Sequence, residues 1–327
     1  ADTIAADAKQ ALPVLSFPAI QEMGITVKEL IDSSDNQARA MRVIADEFPT
    51  AASVSFMDLS VEAEAFGSQI VVSDEEVPTV VGSIVDEDSD PADLAVPEVG
   101  DGRTGLYVEA IRKVAGEIGD RPVFAGMIGP FSLAGRLMDV NEVMILCYEE
   151  PELVKAVLEK CTAFLTDYAR AFRDAGADGI VMAEPLAGLL PPDLLGEFST
   201  PYVRRIVDEV QSDDFIVIYH NCGSSVVKAA DAVIATGARA FHFGNAIEMA
   251  DILPLMPADV VVMGNVDPAG EIRLGTPESV RAKTLEVLGA CAGYPNFVIS
   301  TGCDVPPMAP FENIRAFFDA VDEFYAR

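Results

Sequence analysis

Apolar residues along this chain fall into two alternating patterns. Eight short runs are apolar almost without interruption: 12–17 (LPVLSF), 53–57 (SVSFM), 122–128 (PVFAGMI), 178–183 (DGIVMA), 215–220 (FIVIYH), 239–243 (RAFHF), 259–264 (DVVVMG) and 297–301 (FVIST). Continuous rather than alternating runs of this length predict parallel strands buried on both faces. Between them, apolar residues recur at helical spacing over 103–118, 151–175, 193–211, 225–236, 277–290 and 311–325. Thr276, Pro277 and Glu278 supply an N-cap, a first-turn proline and a first-turn acid, and Pro310 precedes the last helix. Gly176 and Gly237 fall where helices should stop. Strand and helix alternate eight times with no break in composition. The expected fold is therefore α/β, a (β/α)8 TIM barrel forming one domain over residues 1–327. Residues 67–102 depart from the pattern. They are acidic and rich in Asp, Pro and Val, and predict an excursion between the second and third strands, a small hairpin or lid.

Composition narrows the function classes. Half of the 327 residues are hydrophobic, ample for a full core. No apolar run reaches the roughly 18 residues that span a bilayer. The opening ADTIAADAKQ lacks the basic-then-apolar layout of a signal peptide, so a cytoplasmic location is expected. A formal charge of −31 argues against nucleic acid and anionic membranes as partners, since both need dense Lys and Arg. An anionic substrate would need a local basic pocket, for which Arg136 and Arg273 are candidates. The five cysteines are odd in number and widely spaced, which does not suggest a disulfide framework. Cys147, Cys161 and Cys291 lie in helical patterns and read as small buried residues.

Barrels of this type carry their chemistry at the C-terminal ends of the strands. Those ends hold Asp58, Glu184, the run His220-Asn221-Cys222-Gly223, His242, Asn265 and Asp267, and Thr301-Gly302-Cys303-Asp304. His220 and Cys222 are two apart, so in extended backbone they point the same way. Cys303, at the mouth of the eighth strand, can converge on them. One imidazole and two thiols suit zinc, with an open or labile fourth position. Glu184 is a candidate for that position. Asp58 is a second mouth carboxylate, better placed for substrate. His242 has two readings, a hydrogen-bonded barrel histidine or a substrate contact. A Cys–His nucleophilic pair is the rival to a metal, and it leaves the second cysteine without a role. No GxxxxGK[ST] phosphate loop occurs, and neither histidine sits in the D-x-H-x-x-G pattern that ligates a corrinoid.

Several stretches together carry a family likeness: FMDLSVEAEAFG (56–67), MIGPFSLAG (127–135), HNCG (220–223), GNVDP (264–268), GTPE (275–278) and STGCDVPP (300–307). The chain resembles the uroporphyrinogen decarboxylase superfamily over nearly its whole length. Within it, the chain is similar to the zinc-dependent methylcobamide:coenzyme M methyltransferases of methanol and methylamine metabolism. The resemblance implies zinc held by His220, Cys222 and Cys303, with a carboxylate such as Glu184 completing the shell. It also implies a methylcorrinoid carried on a separate protein that docks at the barrel mouth, and a small thiol such as coenzyme M as acceptor. The implied chemistry is attack of the zinc-bound thiolate on methyl-Co(III), giving a thioether and Co(I). Asp58 and His242 would orient substrate, and Asn265 and Asp267 would shape the mouth. Three alternatives stand beside this reading. They are a methyltransferase that charges the corrinoid from an O-, N- or S-methyl donor, a uroporphyrinogen decarboxylase, and a non-catalytic zinc-stabilised docking protein. Decarboxylases resemble one another in an early Arg-rich segment. Here that region reads LPVLSFPAIQEMG (12–24), and the first arginine is Arg39.

Overall fold

A computed structural model describes residues 2–326. Its strands are β1 (Ser53–Val54), β2 (Gln69–Val71), β3 (Thr79–Val81), β4 (Val123–Ile128), β5 (Gly179–Ala183), β6 (Ile216–Asn221), β7 (Ala240–Phe243), β8 (Val261–Val266) and β9 (Phe297–Thr301). Seven of them form one curled parallel sheet in the order β1-β4-β5-β6-β7-β8-β9. Strands β2 and β3 pair antiparallel as a separate ribbon within the acidic segment 67–102. The strands of the large sheet are buried on both faces, as their unbroken apolar runs require.

The first predicted strand, 12–17, is not a regular strand, yet it lies between β9 and β1. Leu12 N–H donates to Ile299 O at 3.0 Å, and Ala51 N–H donates to Ala11 O at 2.8 Å. Pro13 has no N–H to give a ladder, so side chains complete the seam. Val14 N–H donates to the Thr301 hydroxyl at 3.2 Å, and the Ser16 hydroxyl donates to Val54 O. Val305 N–H donates to Val14 O at 2.9 Å.

The inner face of the sheet is filled by Val14, Val54, Phe124, Val181, Ala183, Ile218, Ala240, Met263 and Val298. Successive strand residues face opposite ways. Residues two beyond these plugs therefore rise above them on the same inner face: His220 over Ile218, His242 over Ala240, Asn265 over Met263 and Ser300 over Val298.

Helices cover the outer face. The predicted helix at 193–211 is two, Pro192–Phe198 and Thr200–Val210. Pro201 has no N–H to continue the first, and Ser199 between them leaves helical geometry. The predicted 225–236 helix shrinks to Ala230–Ile234. Ser225 there points its hydroxyl at Gly188 O and Leu190 O instead of starting a helix. Gly176 and Gly237, with φ of 101° and 76°, end their helices in a conformation that favours glycine. No described helix is long and apolar enough to cross a membrane.

Candidate metal centre

His220, Cys222 and Cys303 converge at the carboxyl end of the sheet. One ligand atom from each lies within 4.8 Å of the others. His220 Nε2 is 3.7 Å from Cys303 Sγ. Tetrahedral ligands on zinc, with bonds of about 2.0–2.3 Å, stand roughly 3.5 Å apart, so this spacing fits one ion. A borderline-soft ion is also the chemical match for two sulfurs and an imidazole. His220 is buried, while both cysteines are partly exposed, leaving the sulfur side open.

Close backbone contacts fix this geometry. Asn221 sits between two donors and locks the turn: its Oδ1 accepts from Gly223 N–H at 2.9 Å, and its Nδ2 donates to Tyr219 OH at 3.1 Å. A Cβ on Gly244 would fall 2.4 Å from Cys222 Cβ and 2.6 Å from Cys222 Cα. A Cβ on Gly302 would fall 2.6 Å from Asn245 Oδ1 and 2.7 Å from Asn245 N. Glycine is thus required wherever the neighbouring loop presses on a cysteine-bearing one.

The two thiols are coupled. Cys303 shares its proton with the Cys222 sulfur, which favours the Cys222 thiolate and makes Cys303 harder to ionise. Beneath them, His220 Nδ1 meets His242 Nδ1 at 2.6 Å, in register across β6 and β7. Burial, then the neighbouring His220, holds His242 well below the usual histidine range, so its ring is neutral. His242 Nε2 contacts the Ser300 hydroxyl at 2.7 Å. Beside Cys303, the buried Asp304 Oδ1 has no hydrogen-bond partner. Burial and then Cys303 push this carboxyl well above its ordinary range.

The other predicted residues are placed differently. Glu184 is not in the cluster, contrary to the expectation that it is the fourth ligand. Ala183 faces inward, so Glu184, one residue on, faces outward. There its Oε1 accepts from Phe131 N–H and its Oε2 from Ser132 N–H, both at 2.9 Å, and Ser132 Oγ donates to Oε2 at 2.7 Å. It thereby caps the helix Pro130–Met138. Burial raises its pKa to about 7.

Asp58 also turns outward from Met57, into an ionic network. It accepts from Arg103 Nη1 at 2.5 Å, Tyr107 OH at 2.8 Å and the Ser60 hydroxyl at 2.6 Å. Arg103 in turn donates to Glu64 Oε2 at 2.7 Å and Ser60 Oγ at 2.9 Å. Burial opposes the Arg103 charge, yet Asp58, Tyr107 and Glu64 together outweigh it and hold the guanidinium above its usual range. Nearby Glu62 takes one bond, from Ile128 N–H at 3.0 Å, and its Oε2 has no partner. Burial raises Glu62 to about 7.

Asn265 Nδ2 donates to Gly244 O at 2.9 Å and Ile247 O at 2.7 Å, tying down the loop after β7. Asp267 Oδ1 accepts from Ala269 and Gly270 N–H and caps the turn Pro268–Arg273. Arg273 is not free for a substrate tail, because it pairs with Glu76 of the acidic segment at 2.8 Å. Arg136 is half-buried and has neither hydrogen bond nor ion pair among the described residues, and burial lowers its pKa. One glycine pattern, Gly100-x-Gly102-x-x-Gly105, opens the helix Thr104–Ala115. No strand runs into it, as a dinucleotide fingerprint requires.

Fold and site define an α/β protein in which three candidate metal donors converge at the carboxyl end of a curled parallel sheet. The chain belongs to the uroporphyrinogen decarboxylase (URO-D) family, whose profile matches residues 8–324. Among its relatives is the methylcobamide:CoM methyltransferase MtbA of Methanosarcina acetivorans, 28% identical over 82% of this chain and 78% of that protein. A uroporphyrinogen decarboxylase of Alcanivorax borkumensis is 24% identical over 94% of this chain and 88% of its own length. A solved methyltransferase structure from Methanosarcina mazei superposes with a TM-score of 0.86 at 25% identity, covering 99% of this chain and 96% of that one.

Proposed function

We propose that the chain is a zinc-dependent methyltransferase that moves a methyl group from a methylated corrinoid, held on a partner protein, to a small thiol such as coenzyme M. The observation that carries this reading is the convergence of His220, Cys222 and Cys303 into one donor set. Relatives named methylcobamide:CoM methyltransferases support the same class. His220, Cys222 and Cys303 would hold the zinc. Bound there, zinc supplies the positive charge that keeps an incoming thiol, of ordinary pKa about 8.5, ionised near neutral pH. In the transfer, a sulfur lone pair forms the S–CH3 bond as the Co–CH3 bond breaks, and both electrons of that bond stay on cobalt as Co(I).

The chain's own residues provide the setting. The plug of Val14, Phe124, Ile218, Met263 and Val298 closes the site from below and keeps water from entering through the sheet. Asn265 steadies the loop over the thiols. Arg136, which has no carboxylate partner, is our candidate contact for an anionic tail on the thiol. We read the acidic segment 67–102 as a flap at the mouth of a TIM-type barrel, and residues 8–324 as one catalytic domain. Support for the flap comes from two ties, Glu76 to Arg273 and the Ile84 and Val85 N–H groups to Leu137 O.

The test is zinc analysis together with methyl transfer from methylcobalamin to a panel of thiols. Wild type is expected to carry one zinc and transfer methyl, and Cys303→Ala to lose both. Full transfer by a zinc-free Cys303→Ala protein refutes the reading. A decarboxylase reading draws on the Alcanivorax relative, and metal-independent coproporphyrinogen formation would establish it. Against it stands the lack of any arginine in residues 12–24.

A further inference from the structure

A buried run of side chains beneath the thiols fixes where protons sit. His220 Nδ1 meets His242 Nδ1 at 2.6 Å, His242 Nε2 meets Ser300 Oγ at 2.7 Å, and Ser300 Oγ meets the Leu12 carbonyl oxygen at 2.6 Å. The last contact sets the direction of the rest. A carbonyl has no proton to give, so the Ser300 hydroxyl must donate its one hydrogen to Leu12. Its oxygen can then only accept from His242, which places a proton on Nε2. A neutral imidazole carries one N–H, so His242 Nδ1 is bare and accepts from His220 Nδ1. His220 therefore holds its proton on Nδ1. Its Nε2, facing Cys303 Sγ at 3.7 Å, presents a lone pair.

The reverse arrangement fails on the same contacts. If Ser300 donated to His242, two lone-pair oxygens would face each other at 2.6 Å. No other described group donates to the Leu12 oxygen. If His242 carried two protons, a buried imidazolium would sit with no carboxylate in hydrogen-bonding reach of either ring.

We propose that Ser300 and His242 are positioning residues that hold His220 in its Nδ1–H tautomer, so that Nε2 is preset as a metal donor before an ion arrives. This rests on the zinc assignment above. Nothing on His242 touches the thiols, and its role is to dictate which nitrogen of the next ring is bare. Partners of this kind typically change metal affinity about 10–100-fold when removed.

The protein has two histidines, which makes the test direct. In metal-stripped protein labelled with 15N-histidine, long-range 1H–15N correlation spectra assign the tautomer of each ring. The expected pattern is a protonated Nδ1 on His220 and a protonated Nε2 on His242. A protonated Nε2 on His220 overturns the proposal, and this measurement needs neither a variant nor a metal. In the second measurement, Ser300→Ala removes the acceptor for His242. Zinc affinity from chelator competition is expected to fall about 10–100-fold, and the imidazole spectrum to show the Nε2–H form of His220. An affinity within about twofold of wild type also overturns it. Wild type that binds zinc but transfers no methyl group would refute the methyltransferase reading alone. Wild type that binds no zinc would refute the metal assignment, while the tautomer spectrum would still decide the relay.

Discussion

Replacing Arg103 with methionine removes the cation of a buried network while keeping most of the side-chain bulk. The Arg103 side chain is 9% exposed and that of Asp58 0%, with 2.5 Å between their charged atoms. Without Arg103, Asp58 keeps bonds from Tyr107 and Ser60 but loses its counter-ion. Glu64 is 26% exposed, so water compensates it in part. Removing one partner of a buried pair costs about 3–5 kcal/mol. An unfolding entropy of about 2.1 cal/mol/K per residue, over 327 residues, gives about 0.7 kcal/mol/K. The expected fall in Tm is therefore about 4–7 °C. Thermal unfolding of zinc-loaded proteins, followed by circular dichroism, measures it. Adding Asp58→Asn to Arg103→Met removes the stranded charge and should recover part of the loss. Zinc content should stay unchanged in both, because this network faces away from the three donors. A fall below about 1 °C, or a double variant less stable than the single one, refutes the reasoning.

Three further outcomes follow from the same geometry. Gly244→Ala drives a methyl group into Cys222 and is expected to weaken zinc binding at least about tenfold in chelator competition; an unchanged affinity contradicts the close-contact argument. Glu184→Gln is expected to leave zinc stoichiometry at the wild-type value in elemental analysis, and loss of the metal would return Glu184 to the ligand set. Burial raises Glu62 from 4.5 to about 7, so between those values the native state holds a proton that the unfolded chain has released. Stability from this group is present below pH 4.5 and lost as pH rises through 7, at a full cost of about 3 kcal/mol. Glu62→Gln should therefore gain stability relative to wild type as pH rises from 5 to 8 in urea unfolding, and a pH-independent difference rules this out.

Much of this arrangement was legible because it depends on short-range rules. His220 and Cys222, two apart where a β-branched run stops, had to face one way, and the strand alternation brought Cys303 to the same end. Glu184 falls outside the donor set for a reason already in the sequence. Ala183 is the small residue facing the plug, and the residue after it must point outward. The apolar run 12–17 predicts a strand, but Pro13 removes its ladder, and the segment bonds to its neighbours partly through hydroxyl groups instead. The role of Arg103 is not legible in the sequence, for a different cause. Its partner Asp58 lies 45 residues earlier, across the irregular acidic segment, where no periodicity fixes direction. Asp58 reads as a mouth carboxylate, and only the folded chain supplies its counter-ion. The His242–Ser300 contact spans 58 residues and rests on the register of β7, β8 and β9.

The seam at residues 11–16 bears on when the centre comes into being. A nascent chain leaves the ribosome N-terminus first, so His220 and Cys222 emerge well before Cys303. Until the last strand arrives, Ser300 is missing from the relay and Leu12 has nothing to pair with, across 288 residues of sequence. A chain arrested before residue 300 offers two donors, with no partner fixing the His242 proton. On the proposed zinc reading, tight capture of the ion therefore has to follow pairing of the 11–16 segment with β9. Because an ion that binds only the closed form also stabilises it, zinc bound as proposed and final closure would reinforce each other. If zinc is the ion, a shortage of it leaves the junction of residues 11–16 with β9 as the place where unfinished molecules should first be cut by proteases.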